Sequence, residues 1–248
     1  MTERDGLPLE SRLRLLRAAA FLSTFDRFTV GPMLVTIALD LRVSLKDVAA
    51  AASLYYLLYG LMQPIWGMLS DRLGRVRVMR LTLMAALVPG LLSALAPNLA
   101  VLVVTRAFAG GLFAAVIPAS LVYIGDTVPI SIRQRALADQ LGASAAATAL
   151  SIVCAGVAAY LGLWRLAFAV PVLASFSLGL FLARLPEPEK QGGDTGALAR
   201  IGSVVRRPWA ILVVLLALVE GGVILGFLTY LPPALESEGY NAAAAGLH

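Results

Sequence analysis

Seven apolar runs, each roughly 20 residues long, restrict the fold of this chain more than any other feature. They lie near 17–39, 48–69, 78–96, 99–122, 137–160, 166–184 and 209–231. A run of that length crosses the ~30 Å hydrocarbon core of a bilayer as a helix rising ~1.5 Å per residue. Backbone N–H and C=O groups find no water there, so each run must satisfy them internally. The chain is therefore read as an all-α membrane protein. Composition agrees, with 59% hydrophobic residues, 14% charged and a mean hydropathy of +0.84. Soluble domains carry roughly a quarter charged residues. The first run holds Asp26 and Arg27 and has no small-residue cleavage site behind it, so it reads as a span and not a removable leader.

Charge sets the expected orientation. Arg42, Lys46 and Arg165 are placed on one side of the bilayer, Arg27 and Arg106 lie inside spans, and the other fifteen of the 20 Lys and Arg residues fall on the side of the N-terminus. This asymmetry follows the positive-inside rule and predicts a multi-pass cell-membrane protein with a cytoplasmic N-terminus. It also accounts for the net charge of +5, so no nucleic-acid partner is expected. Cys154 stands alone, which excludes an intrachain disulfide.

The segment 186–196, rich in Pro, Gly and charge, interrupts the apolar pattern and reads as a flexible linker. The expected organisation is a six-span unit at 1–185, a cytoplasmic linker at 186–208, and the start of a second unit at 209–248. Within the linker, 197–207 suits a short amphipathic helix on the membrane surface, with Arg200, Arg206 and Arg207 towards the headgroups. A weak internal repeat supports the division. Ala38-Leu39-Asp40, followed by Val48-Ala49-Ala50, is echoed about 196 positions later by Ala234-Leu235-Glu236, followed by Ala244-Ala245-Gly246. Two such periods make a parent of roughly 390 residues, so an eighth span is expected to start near His248.

The most specific motif is Gly67-Met68-Leu69-Ser70-Asp71-Arg72-Leu73-Gly74-Arg75, which with the next three residues reads as a tight charged loop between the second and third runs. Its glycines permit close packing and a positive-φ turn. Asp71 falls where the preceding helix ends, and that helix's dipole disfavours its charge. It needs a cation or another helix's N-terminus, and Arg75 can supply part of this if the turn is helical. The string resembles the Gly-x-Leu-(Ala/Ser)-Asp-(Arg/Lys)-x-Gly-Arg loop of the major facilitator superfamily. Arg106-Ala107-Phe108-Ala109-Gly110, Arg133-Gln134-Arg135-Ala136, Leu163-Trp164-Arg165 and Leu185-Pro186-Glu187 are similar to that family's patterns at the fourth, fifth and sixth spans. The fifth span departs from the family's drug antiporters, which usually carry a Gly-Pro pair where this one has Gly142 and Gly156 in an Ala-rich helix.

The resemblance implies a six-helix bundle of two inverted three-helix repeats plus a seventh helix, truncated relative to a twelve-span transporter. It implies alternating-access transport of a small molecule, driven by the proton gradient without a cofactor. It makes Gly67, Asp71, Arg72, Gly74, Arg75 and Asp126 a latch that stabilises the outward-facing state against a second half. That half would come from a longer chain or a partner chain, and without it the chain would be an inactive transporter half.

Ionisable side chains inside spans face a cavity or a partner. Arg27 lies ~15 Å beyond Arg17 along a helix, near the midplane. Asp26 is the proton-carrier candidate, because desolvation favours the neutral form of a carboxyl group. Arg27 would hold Asp26 ionised or bind an anionic substrate, although adjacent helical positions diverge by ~100°. Arg106 lies ~12 Å from the outer end of its span, and the resemblance implies a part in proton coupling. Glu220 is within two positions of the repeat counterpart of Asp26. A purely structural role, fastening helix to helix, is open for each. Tyr55, Tyr59 and Gln63 are open to a substrate path or to simple packing.

Other functions meet direct objections. A retinal protein needs a lysine inside a span, but Lys46 and Lys190 lie outside them. One histidine and one cysteine cannot build a zinc site, and no Gly-x-x-x-x-Gly-Lys loop is present for nucleotide. The expected function is proton-coupled export of small molecules by a transporter and not an enzyme, with symport of small organic anions as the alternative.

Overall fold

Three prolines divide the spans. In the computed structural model, which describes residues 7–188 and 207–237, α1 (Leu9–Phe28) ends four residues before Pro32. A short 3-10 turn at Gly31–Met33 leads into α2 (Leu34–Leu41). After α3 (Leu45–Leu73), α4 (Arg75–Ala85) ends four residues before Pro89, and α5 (Leu87–Ala94) follows after Ala86. The break between α6 (Leu99–Phe113) and α7 (Val116–Thr127) likewise begins at Ala114, four before Pro118. A proline cannot donate to the carbonyl four residues back and crowds it, which is why the ladder opens there. Pro64 and Pro171 sit inside α3 and α9 (Trp164–Phe181) without ending them. The remaining long helices are α8 (Ile130–Tyr160) and α10 (Pro208–Ser237).

Six stretches are long and apolar enough to cross a membrane: Leu45–Leu73, Arg75–Ala94, Leu99–Thr127, Ile130–Tyr160, Trp164–Arg184 and Pro208–Leu231. The first predicted span is not among them. The expected single helix at 17–39 is instead α1, a 3-10 turn and α2 in succession, because Gly31-Pro32 interrupts it. A second correction concerns 67–78. The expected loop is almost entirely helix: α3 runs to Leu73, α4 starts at Arg75, and Gly74 alone makes the turn at φ 112°.

The packing has the symmetry of an inverted repeat. The second span (α3) lies along the fourth (α6), as the first (α1) lies along the fifth (α8). The third (α4, α5) packs on the sixth (α9). Renaming spans one to three as four to six turns the first pairing into the second and leaves the third unchanged. Two three-helix units of opposite orientation produce this pattern. Among the described residues the chain is helical without strands, and α10 touches the bundle chiefly at Gly31–Met33 and α2.

Two apolar clusters fill the bundle. One, at the end that carries most of the arginines, includes Leu16, Met79, Leu83 and Phe113; the other includes Met33, Ile37, Leu102 and Phe168. At the less basic end Asp40 accepts hydrogen bonds from Trp164 Nε1 at 3.2 Å and Arg165 Nη1 at 2.7 Å, tying the first span to the sixth. The segment 189–206, with the amphipathic stretch expected there, lies outside the described residues, as does 238–248 with the end of the internal repeat.

Candidate functional site

Between the two apolar clusters lies a buried polar centre. Asp26 on α1 and Arg106 on α6 are both fully buried and form an ion pair. The geometry is forked: Nη2 donates to Oδ2 and Nη1 donates to Oδ1 at 3.2 Å. Tyr55 of α3, also buried, donates its hydroxyl to Oδ2 at 3.1 Å. The Arg106 guanidinium is held between the rings of Phe168, 4.6 Å from its carbon, and Tyr55, at 4.9 Å. Planar guanidinium suits this site, since it meets a carboxylate in the plane and stacks on aromatic faces.

The site depends on a glycine one turn beyond Arg106. A Cβ at Gly110 would lie 2.5 Å from the backbone oxygen of Tyr55 and 2.9 Å from its Cγ. The bare glycine lets α3 approach α6 closely enough for Tyr55 to reach both members of the pair. The Arg-x-x-x-Gly spacing is thus a packing device that builds the charge site.

Arg27 does not join its neighbour Asp26. Its guanidinium carbon stands 4.8 Å above the Tyr59 ring and 5.0 Å above that of Phe28, and its buried Nε has no hydrogen-bond partner. No ion pair to Arg27 occurs among the described residues. Next to it, Tyr56 points its hydroxyl at the Arg27 carbonyl (3.5 Å) and pairs with Thr229 of α10 at 2.9 Å. Ser53 and Tyr230 are 3.2 Å apart at the same junction. Glu220 stands elsewhere, exposed on α10.

At the basic end, Arg75 is bonded to Asp71, and its Nε lies 3.7 Å from the Asp126 carboxylate. Ser70 accepts a further bond from Arg75 at 3.1 Å. Gly67 has open space where a side chain would go, and Arg72 is exposed in the last turn of α3. Glu187 has a role beyond the motif that contains it. Its carboxylate accepts from the backbone N–H of Val76 and of Arg77, each at 3.1 Å, and caps α4. A visible signal was available: α4 starts after Gly74 with no Ser, Thr, Asp or Asn at its N-cap. On α1 before the span, Arg17 and then Arg14 hold the Glu10 carboxyl below the usual carboxylate range by hydrogen bonding. The stacking of Phe168 on Arg106 had no sequence signal, because it joins residues far apart in the chain.

Inverted three-helix units around a buried ion pair define a polytopic helical membrane protein. The chain belongs to the major facilitator superfamily, whose family model matches residues 17–248. A comparison with curated proteins finds none that matches it by sequence. Among solved structures, it is similar to a bacterial homologue of the human lysosomal transporter Spinster, inward-facing and occupied (TM-score 0.78, 18% identity, 96% of this chain and 56% of that one). The inward-open xylose transporter XylE from E. coli is similar over 92% of this chain and 65% of its own, at 16% identity and TM-score 0.69. A D-xylose-proton symporter has TM-score 0.68 and 16% identity over 96% of this chain and 64% of its own. The chain therefore spans less than two thirds of the length of these relatives.

Proposed function

We propose that this chain carries the proton-binding half of a secondary transporter that moves small molecules by alternating access across the cell membrane, N-terminus inside. The carrying observation is the fully buried pair of Asp26 and Arg106 with the Tyr55 hydroxyl on the same carboxylate. While Asp26 is ionised, it ties α1 to α6 and balances Arg106. A proton arriving on Asp26 removes that balance and leaves a guanidinium uncompensated in a buried site. Breaking a buried pair from one side costs about 3–5 kcal/mol, enough to shift a two-state equilibrium through most of its range. Motion of α1 against α6 is the response, and the interruption at Gly31-Pro32 gives the first span a place to bend. The likeness of fold to a D-xylose-proton symporter supports the reading.

Export of small amphipathic compounds is the primary reading of direction. Symport of small organic anions is the second, and one observation favours it: Asp26 is taken by Arg106, so Arg27 keeps an unpartnered buried nitrogen beside Tyr59. Flux in vesicles under an imposed proton gradient tests both. A substrate panel driven out against an inward gradient supports export; anions accumulated with the proton support symport; flux indifferent to the gradient refutes coupling.

The exposed apolar surface of α10, including Trp209, Leu218 and Phe227, is read as the ground on which further spans pack, from the same polypeptide or a partner chain. An immunoblot of native membranes against residues 1–16 tests this. A species well above 26.1 kDa, or a stable complex of the short form, supports it. A lone 26.1 kDa monomer that transports would overturn it.

A further inference from the structure

A groove of about 260 Å³ opens where the start of α1 meets the end of α9, lined by Leu7, Ser11, Arg14, Leu15, Phe181 and Arg184. Its floor is apolar and its rim is cationic. It lies at the basic end, between the first turns of α1 and the last turn of α9. Arg14 spends only its Nε on Glu10, at 3.2 Å, and Glu10 is more tightly engaged by Arg17 at 2.6 Å. Arg184 rests 5.4 Å above the Phe181 ring and forms no ion pair among the described residues. Phe181 is itself half exposed.

We propose that this groove binds an anionic phospholipid of the cytoplasmic leaflet, its phosphate between Arg14 and Arg184 and its first acyl carbons over Leu7, Leu15 and Phe181. Charge complementarity selects the occupant. Guanidinium groups meet phosphate oxygens by forked hydrogen bonds, and basic pockets between helices on this face suit acidic headgroups. The chain's own 197–207 segment is a poor candidate, since it carries Arg200, Arg206 and Arg207 with no acidic residue. Glu10 and Asp139 together offset Arg14 and Arg17, Arg17 lying 3.6 Å from Asp139, so the net positive charge at the groove is that of Arg184, with the Nη groups of Arg14 beside it. The bound lipid would staple the first span to the sixth at the end opposite the Asp40–Arg165 contact.

The full protein, with Phe181→Trp as reporter, is reconstituted in phosphatidylcholine vesicles containing a minor share of brominated phosphatidylglycerol or, separately, of brominated phosphatidylcholine. Fluorescence of the parent protein supplies the background from Trp66, Trp164 and Trp209. Severalfold stronger quenching by the brominated phosphatidylglycerol is expected, with the preference falling to near parity in Arg14→Gln/Arg184→Gln. Arg135→Gln, which removes a basic-end charge outside the groove, should keep the preference. Equal quenching by the two lipids, or equal loss in both charge variants, would overturn the proposal. Because quenching is read without transport, a failed transporter assignment leaves this result standing.

Discussion

Asp26→Asn keeps the size of the side chain and removes the charge that balances Arg106. Flux driven by a proton gradient should fall to the background of empty vesicles, while exchange of substrate across the membrane continues. Comparing these two fluxes separates coupling from folding. Tyr55→Phe deletes one donor to the same carboxylate. A hydrogen bond to a charged group contributes about 1.5–3 kcal/mol, so the variant should unfold at lower temperature and shift the pH dependence of transport without abolishing it. Unchanged behaviour of both variants would reduce the pair to a helix fastener. Sequence alone singled out Asp26, Arg27 and Arg106, because charge inside an apolar run is conspicuous. It could not say which arginine Asp26 chooses. Adjacent helical residues point apart, and the partner arrives from α6, eighty positions away.

Helix ends and helix contacts carry the next group of expectations. Gly110→Ala places a methyl group against the Tyr55 backbone, which cannot move aside. Overpacking of this kind costs roughly 1–3 kcal/mol. Gly111→Ala meets Met62 Cγ at 3.5 Å and Leu58 Cβ at 3.9 Å, both ordinary contacts, and should be close to neutral. Thermal unfolding in detergent reads the difference, and equal melting temperatures would remove the close-approach argument. Glu187→Gln withdraws a negative charge from the N-terminus of α4. An anion at a helix N-terminus contributes about 0.3–1 kcal/mol, more when partly buried. A modest loss of stability and faster hydrogen exchange at Val76 and Arg77 are expected; protection equal to the parent's would show that the cap is unimportant. The proline breaks were legible only in part: each falls at or next to the carbonyl four residues before a proline, yet Pro64 and Pro171 leave their helices unbroken. The helical character of 67–78 was not. Charge density suggested a loop, whereas a distant carboxylate and one positive-φ glycine let two helices meet almost end to end.

For the molecule as a whole, the apolar runs decided the fold class, and the pairing of spans follows from an inverted repeat that composition cannot display. The second, fourth and fifth predicted spans fall inside α3, α6–α7 and α8; α3 extends past both predicted limits and the others past one, where charged residues continue the helix beyond the apolar run. In the proposed mechanism a proton on Asp26 releases Arg106 and so changes the conformation of the bundle. Infrared difference spectroscopy of the membrane-reconstituted protein tests it most directly, by following the carbonyl stretch of a neutral carboxyl group as pH is lowered. The expected band is absent in Asp26→Asn, shifts in Tyr55→Phe, and appears over the pH range in which transport is driven. A band that persists in Asp26→Asn, or an Asp26 that stays ionised throughout that range, would contradict it.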